Sequence, residues 1–166
     1  NLLIVISGIT ILYGNLCAIP QRNLKRLLGY SSIAHAGYLL LGVAALTGAG
    51  QSAVLYYLSG YLFTTLAAFT VIALVMRQPD TEDISGLAGL NHRSPLLAAT
   101  MTLAMVSLAG IPPLAGFFGK FLLLKSILAN GATNSAYYVL AFIAIAGVVI
   151  SGLAFLILLL PTVCDW

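Results

Sequence analysis

Charge is what this sequence has least of. Aspartate, glutamate, lysine and arginine make up 7% of its 166 residues, against about 25% in a soluble domain. Hydrophobic residues make up 61%. No soluble core of this length leaves so little for its surface, so the chain reads as a polytopic membrane protein. Its formal net charge of +3 comes from loop lysines and arginines and gives nucleic-acid binding nothing to rest on. Cysteine is scarce as well. Cys17 and Cys164 lie in or beside apolar stretches without metal-ligand spacing and read as buried, inert thiols, which leaves the redox compartment open. There is no His/Cys ligand set, no phosphate loop and no dinucleotide fingerprint, so redox chemistry has no seat in this chain by itself. The chain starts at Asn1 and runs directly into apolar residues, with no charged leader region or small-residue cleavage site. It is read as a fragment of a longer protein, without a signal peptide.

What is abundant is apolar sequence in lengths near the ~20 residues a helix needs to cross a bilayer. The whole chain, 1–166, reads as one transmembrane helical domain. Its spans fall at about 2–19, ended by Pro20; 27–46, ended by Gly48 and Gly50; 53–76; 96–128; and 136–160, ended by Pro161. The fourth is too long for one straight crossing by about 10 residues. Gly110-Ile111-Pro112-Pro113 explains the excess, because its prolines remove backbone donors and obstruct the preceding turn. A break at that depth is tolerable only inside protein or beside a watery cavity. The fold class is thus an all-α membrane bundle of five spans, one of them broken.

The loops give an orientation. Arg22, Lys25 and Arg26 lie between spans one and two, and Arg77 and Arg93 between three and four. The loops on the other face, 47–51 and 129–134, carry no charge. The positive-inside rule places the basic loops in the cytoplasm and the start of the chain outside. The longer loop also holds Asp80, Glu82, Asp83 and His92. Its acidic run reads as a solvated face, and His92 and Arg93 could touch a neighbouring subunit.

Lys120 follows the break and lies about 14 Å below the membrane surface, near the middle of a ~30 Å hydrocarbon layer. An ammonium there costs about 2.5–3.5 kcal/mol on insertion scales. A lysine stem reaches about 6 Å and falls short of the interface. An amine held at that depth can trade a proton, which points to ion or proton handling. Lys125 is nearer the outer end, where snorkelling and a relay to the outer face both fit. His35 lies near the midplane of the second span, in the unusually polar run Gly29-Tyr30-Ser31-Ser32-Ile33-Ala34-His35. Histidine titrates near neutrality and hydroxyls can hold a water chain. The same groups could equally just hydrogen-bond between helices. Lys25 and Arg26 read chiefly as topology determinants at the cytoplasmic mouth. Tyr56, Tyr57 and Tyr61 read as packing, and Tyr137 and Tyr138 as an aromatic belt.

Two long motifs carry a resemblance. Gly14-Asn15-Leu16 with the run from Pro20 to Tyr38, and the run from Ser107 to Phe121, are similar to the antiporter-like membrane subunits of respiratory complex I. Gln21-Arg22-Asn23-Leu24-Lys25-Arg26-Leu27-Leu28-Gly29-Tyr30-Ser31-Ser32, with a lysine in the broken helix, most resembles subunit N. The resemblance covers Leu2 to Ser151, after which the sequence departs from the family's pattern. It implies that the chain is one inverted-repeat half of a longer helical fold, helices nine to thirteen, contributing the exit half of a proton channel. Lys120 then matches the family's proton-path lysine, and Tyr30 and His35 lie on the hydrophilic axis with Ser31 and Ser32. It further implies neighbouring antiporter-like subunits and the lipid bilayer as partners, and a bacterial inner membrane as the location. NADH, FMN, iron–sulfur clusters and quinone are then held in other subunits and no cofactor here. An Mrp-type cation/proton antiporter subunit, a membrane-bound hydrogenase subunit and a non-conducting structural fragment remain as alternatives.

Overall fold

A computed structural model describes residues 2–75, 83–129, 131 and 134–164, with side chains as far as residue 156. Arg77, Asp80 and Glu82, and the side chain of Cys164, lie outside the described residues. The chain forms α1 (Leu2–Ala18), α2 (Leu24–Ala44), α3 (Gly48–Val75), a 3-10 turn (Ile84–Leu87), α4 (Leu90–Arg93), α5 (Pro95–Ala109), α6 (Ala115–Leu128) and α7 (Ala136–Cys164). Among the described residues the only β-type pairing is an isolated bridge between Asn23 and Asp83. The protein is an all-α membrane bundle. Stretches of α2, α3 and α7 are each long and apolar enough to cross a bilayer alone, and α1 and α5 are shorter apolar helices.

Local chemistry sets the helix ends. Asn23 caps α2, its side-chain oxygen accepting the Arg26 backbone N–H at 3.1 Å. Helix α2 therefore starts at Leu24, and Lys25 and Arg26 belong to its first turn rather than to the preceding loop. Thr47 does the same for α3, its hydroxyl accepting the Gly50 N–H at 3.1 Å. Gly48 and Gly50 thus open α3 instead of only ending the span before it. Helix α7 runs past Pro161 to Cys164, where the sequence predicts a stop at the proline. Replacing Asn23 with alanine removes the α2 cap and is expected to lower stability by about 1 kcal/mol, read as a small drop in the thermal midpoint in detergent.

Two apolar clusters hold the helices together. One joins Leu24, Leu27 and Leu28 to Val71, Ile72, Leu90, Met101, Met105 and Leu108. The other joins Ile11, Tyr38, Leu41 and Tyr57 to Leu123, Ile127 and Leu140. The break between α5 and α6 coincides with the seam: α5 supplies only the first cluster and α6 only the second. The outside is as apolar as the inside. Val5, Ile9, Leu55, Phe63, Leu96 and Phe142 are all exposed, which suits hydrocarbon and not water.

Candidate functional site

The site is built on the end of α5. Gly110 terminates that helix in the left-handed region at φ 83°, which favours a residue without a Cβ. Its N–H bonds back to Ser107 O at 3.1 Å, and Ile111 N–H bonds to Val106 O at 3.2 Å. That leaves the last two helical carbonyls, on Leu108 and Ala109, to find donors elsewhere. Lys120 supplies one. Its Nζ donates to Leu108 O at 2.8 Å and lies 3.5 Å from Ala109 O. A cation at a helix C-terminus also meets the negative end of the helix dipole. A Cβ at position 110 would lie only 3.3 Å from Nζ, so the glycine makes room for the amine as well as for the turn.

Lys120 is 6% exposed. Its Nζ sits 5.2 Å from the centroid of the Tyr38 ring, within cation–π range. The only described acidic residue is Asp83, in the loop before the 3-10 turn, so no described carboxylate neutralises the amine. The amine instead lines a partly open apolar cleft of about 170 Å³ with Tyr38, Gly110, Phe117, Phe121 and Val148. At the break, Gly110 is buried while Ile111, Pro112 and Pro113 are exposed. The inner edge of the break is inside protein, as sequence physics requires, and its outer edge is not.

His35 is buried on α2. Its Nδ1 and the Tyr57 hydroxyl share a hydrogen bond. Three tyrosine rings surround it, with centroids at 6.3 Å for Tyr38, 5.9 Å for Tyr57 and 4.8 Å for Tyr61. Tyr38 therefore neighbours both Lys120 and His35, and aromatic rings carrying hydroxyls occupy the space around the two ionisable groups. Ser31, one turn back, is buried and lines a pocket of about 10 Å³ with Asn15 and Ser151. That is close to the room one water needs.

The other candidates lie elsewhere. Tyr30 is half-buried, and Ser32 and Lys125 are exposed. Among the described residues the Ser32 hydroxyl bonds to the carbonyl of Gly29 in its own helix, at 2.7 Å. Lys125 is in the last turn of α6. Arg22 is at the surface in the α1–α2 connection, and Lys25 and Arg26 are at the surface in the first turn of α2. Sequence reasoning missed Tyr57 and Tyr38 as partners of the ionisable groups. Tyr38 follows His35 by three residues, and Tyr57 and Tyr61 are four apart. Both are same-face spacings on a helix and were the available signal.

Residues 1–151 match the family described as NADH:quinone oxidoreductase/Mrp antiporter, TM. The chain belongs to this family. The match ends where the sequence motifs place the end of the resemblance. Among curated members, the chain is 49% identical over 129 residues to NADH-quinone oxidoreductase subunit N of Desulforamulus reducens, covering 78% of this chain and 27% of that one. It is 46% identical over 158 residues to subunit N of Rhodospirillum rubrum, covering 94% of this chain and 31% of that one. It thus spans less than a third of the length of these relatives. Solved structures share the fold. Respiratory complex I from Thermus thermophilus superposes with a TM-score of 0.85 at 36% identity, covering 98% of this chain and 36% of that chain. The Mrp complex from Dietzia sp. superposes with a TM-score of 0.86 at 28% identity, covering 96% and 29%. The antiporter-like resemblance expected from the two motifs is borne out.

Proposed function

We propose that this chain is part of a proton-translocating membrane subunit of NADH–quinone oxidoreductase, of the subunit N type, and forms half of a proton channel. The observation that carries the reading is the seat of Lys120: a buried amine on the open carbonyls of a broken span, with no described carboxylate beside it. A group so placed gains or loses a proton as its surroundings change, which a fixed structural cation does not do. Lys120 exchanges the proton, and His35, Tyr30, Ser31 and Ser32 line the route with water between them. Lys125 relays it to the outer face. Arg22, Lys25 and Arg26 hold the cytoplasmic mouth, and the basic loops face the cytoplasm of a bacterial inner membrane.

The driving chemistry lies outside this chain. NADH oxidation and quinone reduction belong to other subunits with their FMN and iron–sulfur clusters, and neighbouring antiporter-like subunits pack against this one. The likeness to the Mrp complex favours a second reading, exchange of sodium for protons on the same fold. Proteoliposomes holding the complex assembled with the full-length parent distinguish the two. NADH oxidation by quinone is expected to drive proton movement in sodium-free medium. Proton movement that needs sodium would support the antiporter, and electron transfer without proton movement would remove the pumping role.

A further inference from the structure

We propose that Tyr57 is a positioning residue for His35, holding its ring so that Nε2 alone meets the proton path. This rests on the proton-conducting reading above.

The neighbours of Tyr57 on α3, Tyr56 and Leu58, face outward, yet Tyr57 is 2% exposed. A phenol buried in a bundle surrounded by lipid is costly unless its hydroxyl is bonded. The bond it makes is to Nδ1 of His35. The ring is held on two sides. Tyr38 meets it edge-on, with centroids 6.4 Å apart and planes at 72°. On the other side is Gly119 of α6, where an added methyl would lie 2.5 Å from Tyr57 Cδ2 and 3.2 Å from its Cα. Gly119 immediately precedes Lys120. Tyr57 therefore bridges the helix that carries the lysine and the helix that carries the histidine.

The consequence is set by imidazole chemistry. A neutral imidazole has one nitrogen that donates and one that accepts. The phenol O–H donating to Nδ1 leaves fewer buried polar groups unpaired than the reverse, and the ring's own proton then sits on Nε2. That nitrogen is buried and has no hydrogen-bond partner among the described residues. A ring free to turn would present either nitrogen to Tyr38, Tyr61 or water. A ring tied at Nδ1 presents only Nε2.

The test uses the full-length parent in its assembled complex. Tyr57→Phe deletes one oxygen and leaves the packing against Gly119 and Tyr38. The rate of proton pumping is expected to fall about fivefold, the change in a rate constant that one lost buried hydrogen bond gives. Assembly and NADH oxidation with an artificial acceptor are expected to stay unchanged. In a His35→Gln background, the same substitution is expected to cause no further loss of the pumping that remains, because its effect runs through the histidine. A purely structural tyrosine would lower pumping equally in both backgrounds, and that result overturns the proposal. So does wild-type pumping in Tyr57→Phe. If Lys120→Met abolishes pumping while Tyr57→Phe does not change it, the tyrosine's role falls and the channel reading stands. If neither substitution changes pumping, both fall. Where a phenylalanine or glutamine variant leaves no measurable complex, 3,5-difluorotyrosine at position 57 nearly preserves the shape and alters the hydroxyl. A change in pumping of about twofold or more is then expected, and an unaltered rate overturns the role.

Discussion

Lys120→Met in the full-length parent is expected to lower proton pumping about tenfold or more, while NADH oxidation by an artificial acceptor continues. Loss of a positioned proton-transfer group typically costs more than that in rate. Methionine keeps most of the stem's volume, so the apolar cleft beside Tyr38 and Phe121 does not collapse. It does remove the donor to Leu108 O and Ala109 O. An unpartnered buried carbonyl costs about 1–3 kcal/mol, so some loss of stability comes with the substitution. Lys120→Arg separates the two effects. A guanidinium keeps the charge and offers more donors to the same carbonyls, but it holds its proton permanently. Arginine is therefore expected to restore stability and leave pumping low. Proton uptake by proteoliposomes, paired with a thermal midpoint for each variant, reads both. Pumping at the wild-type level in the arginine variant would show that Lys120 acts only as a fixed charge.

The break was legible in the sequence because its cause is local. Two prolines after a glycine remove donors and block a turn whatever surrounds them. The depth of Lys120 and His35 followed from counting residues along apolar helices. What Lys120 touches was not legible. Its carbonyl partners lie 11 and 12 residues away, across a reversal of the chain whose geometry depends on the left-handed turn at Gly110. Tyr57 was hidden for a different reason. In a soluble helix, polarity marks the outer face. Here the outer face meets lipid and the inner face meets protein, so both are apolar and the contrast that reveals a buried stripe is weak. Tyr56 and Tyr57 are indistinguishable by composition, yet one is 43% exposed and the other 2%. Only the packing of α3 against α6 and α2 separates them. The same weakness hides the difference between Ser31, which is buried, and Ser32, which is exposed. The ends of α3 and α7 were missed where a glycine or a proline was read as a stop. At α3 a threonine cap outweighed the glycines' local preference; at α7 the proline removes one donor and the helix runs about one more turn before it ends.

Gly116→Ala is expected to destabilise the protein by about 3 kcal/mol, lowering the thermal midpoint by roughly 5–10 °C, and to lower pumping with it. Gly116 lies in the first turn of α6, against the last turn of α5. A methyl there would overlap the Ser107 carbonyl oxygen and lie 2.8 Å from its carbon. A flexible side chain could swing away, but a helix carbonyl cannot. Ser107 O also accepts the Gly110 N–H that ends α5, so moving it disturbs the turn itself. The carbonyls of Leu108 and Ala109 follow in the same turn and would shift away from Lys120 Nζ. One methyl group, placed four residues from the lysine, thus acts on the site through the helix end. Gly29→Ala is the matched control. Gly29 is also helical, and a methyl there meets nothing within 4 Å. Alanine's better helix propensity should leave that variant at wild-type stability or slightly above it. Thermal midpoints of the two variants, measured side by side with pumping, test whether close packing of the two half-helices holds the amine in place. A Gly116→Ala variant as stable and active as the Gly29→Ala control would mean that the break tolerates separation and that the carbonyl seat is not what fixes Lys120.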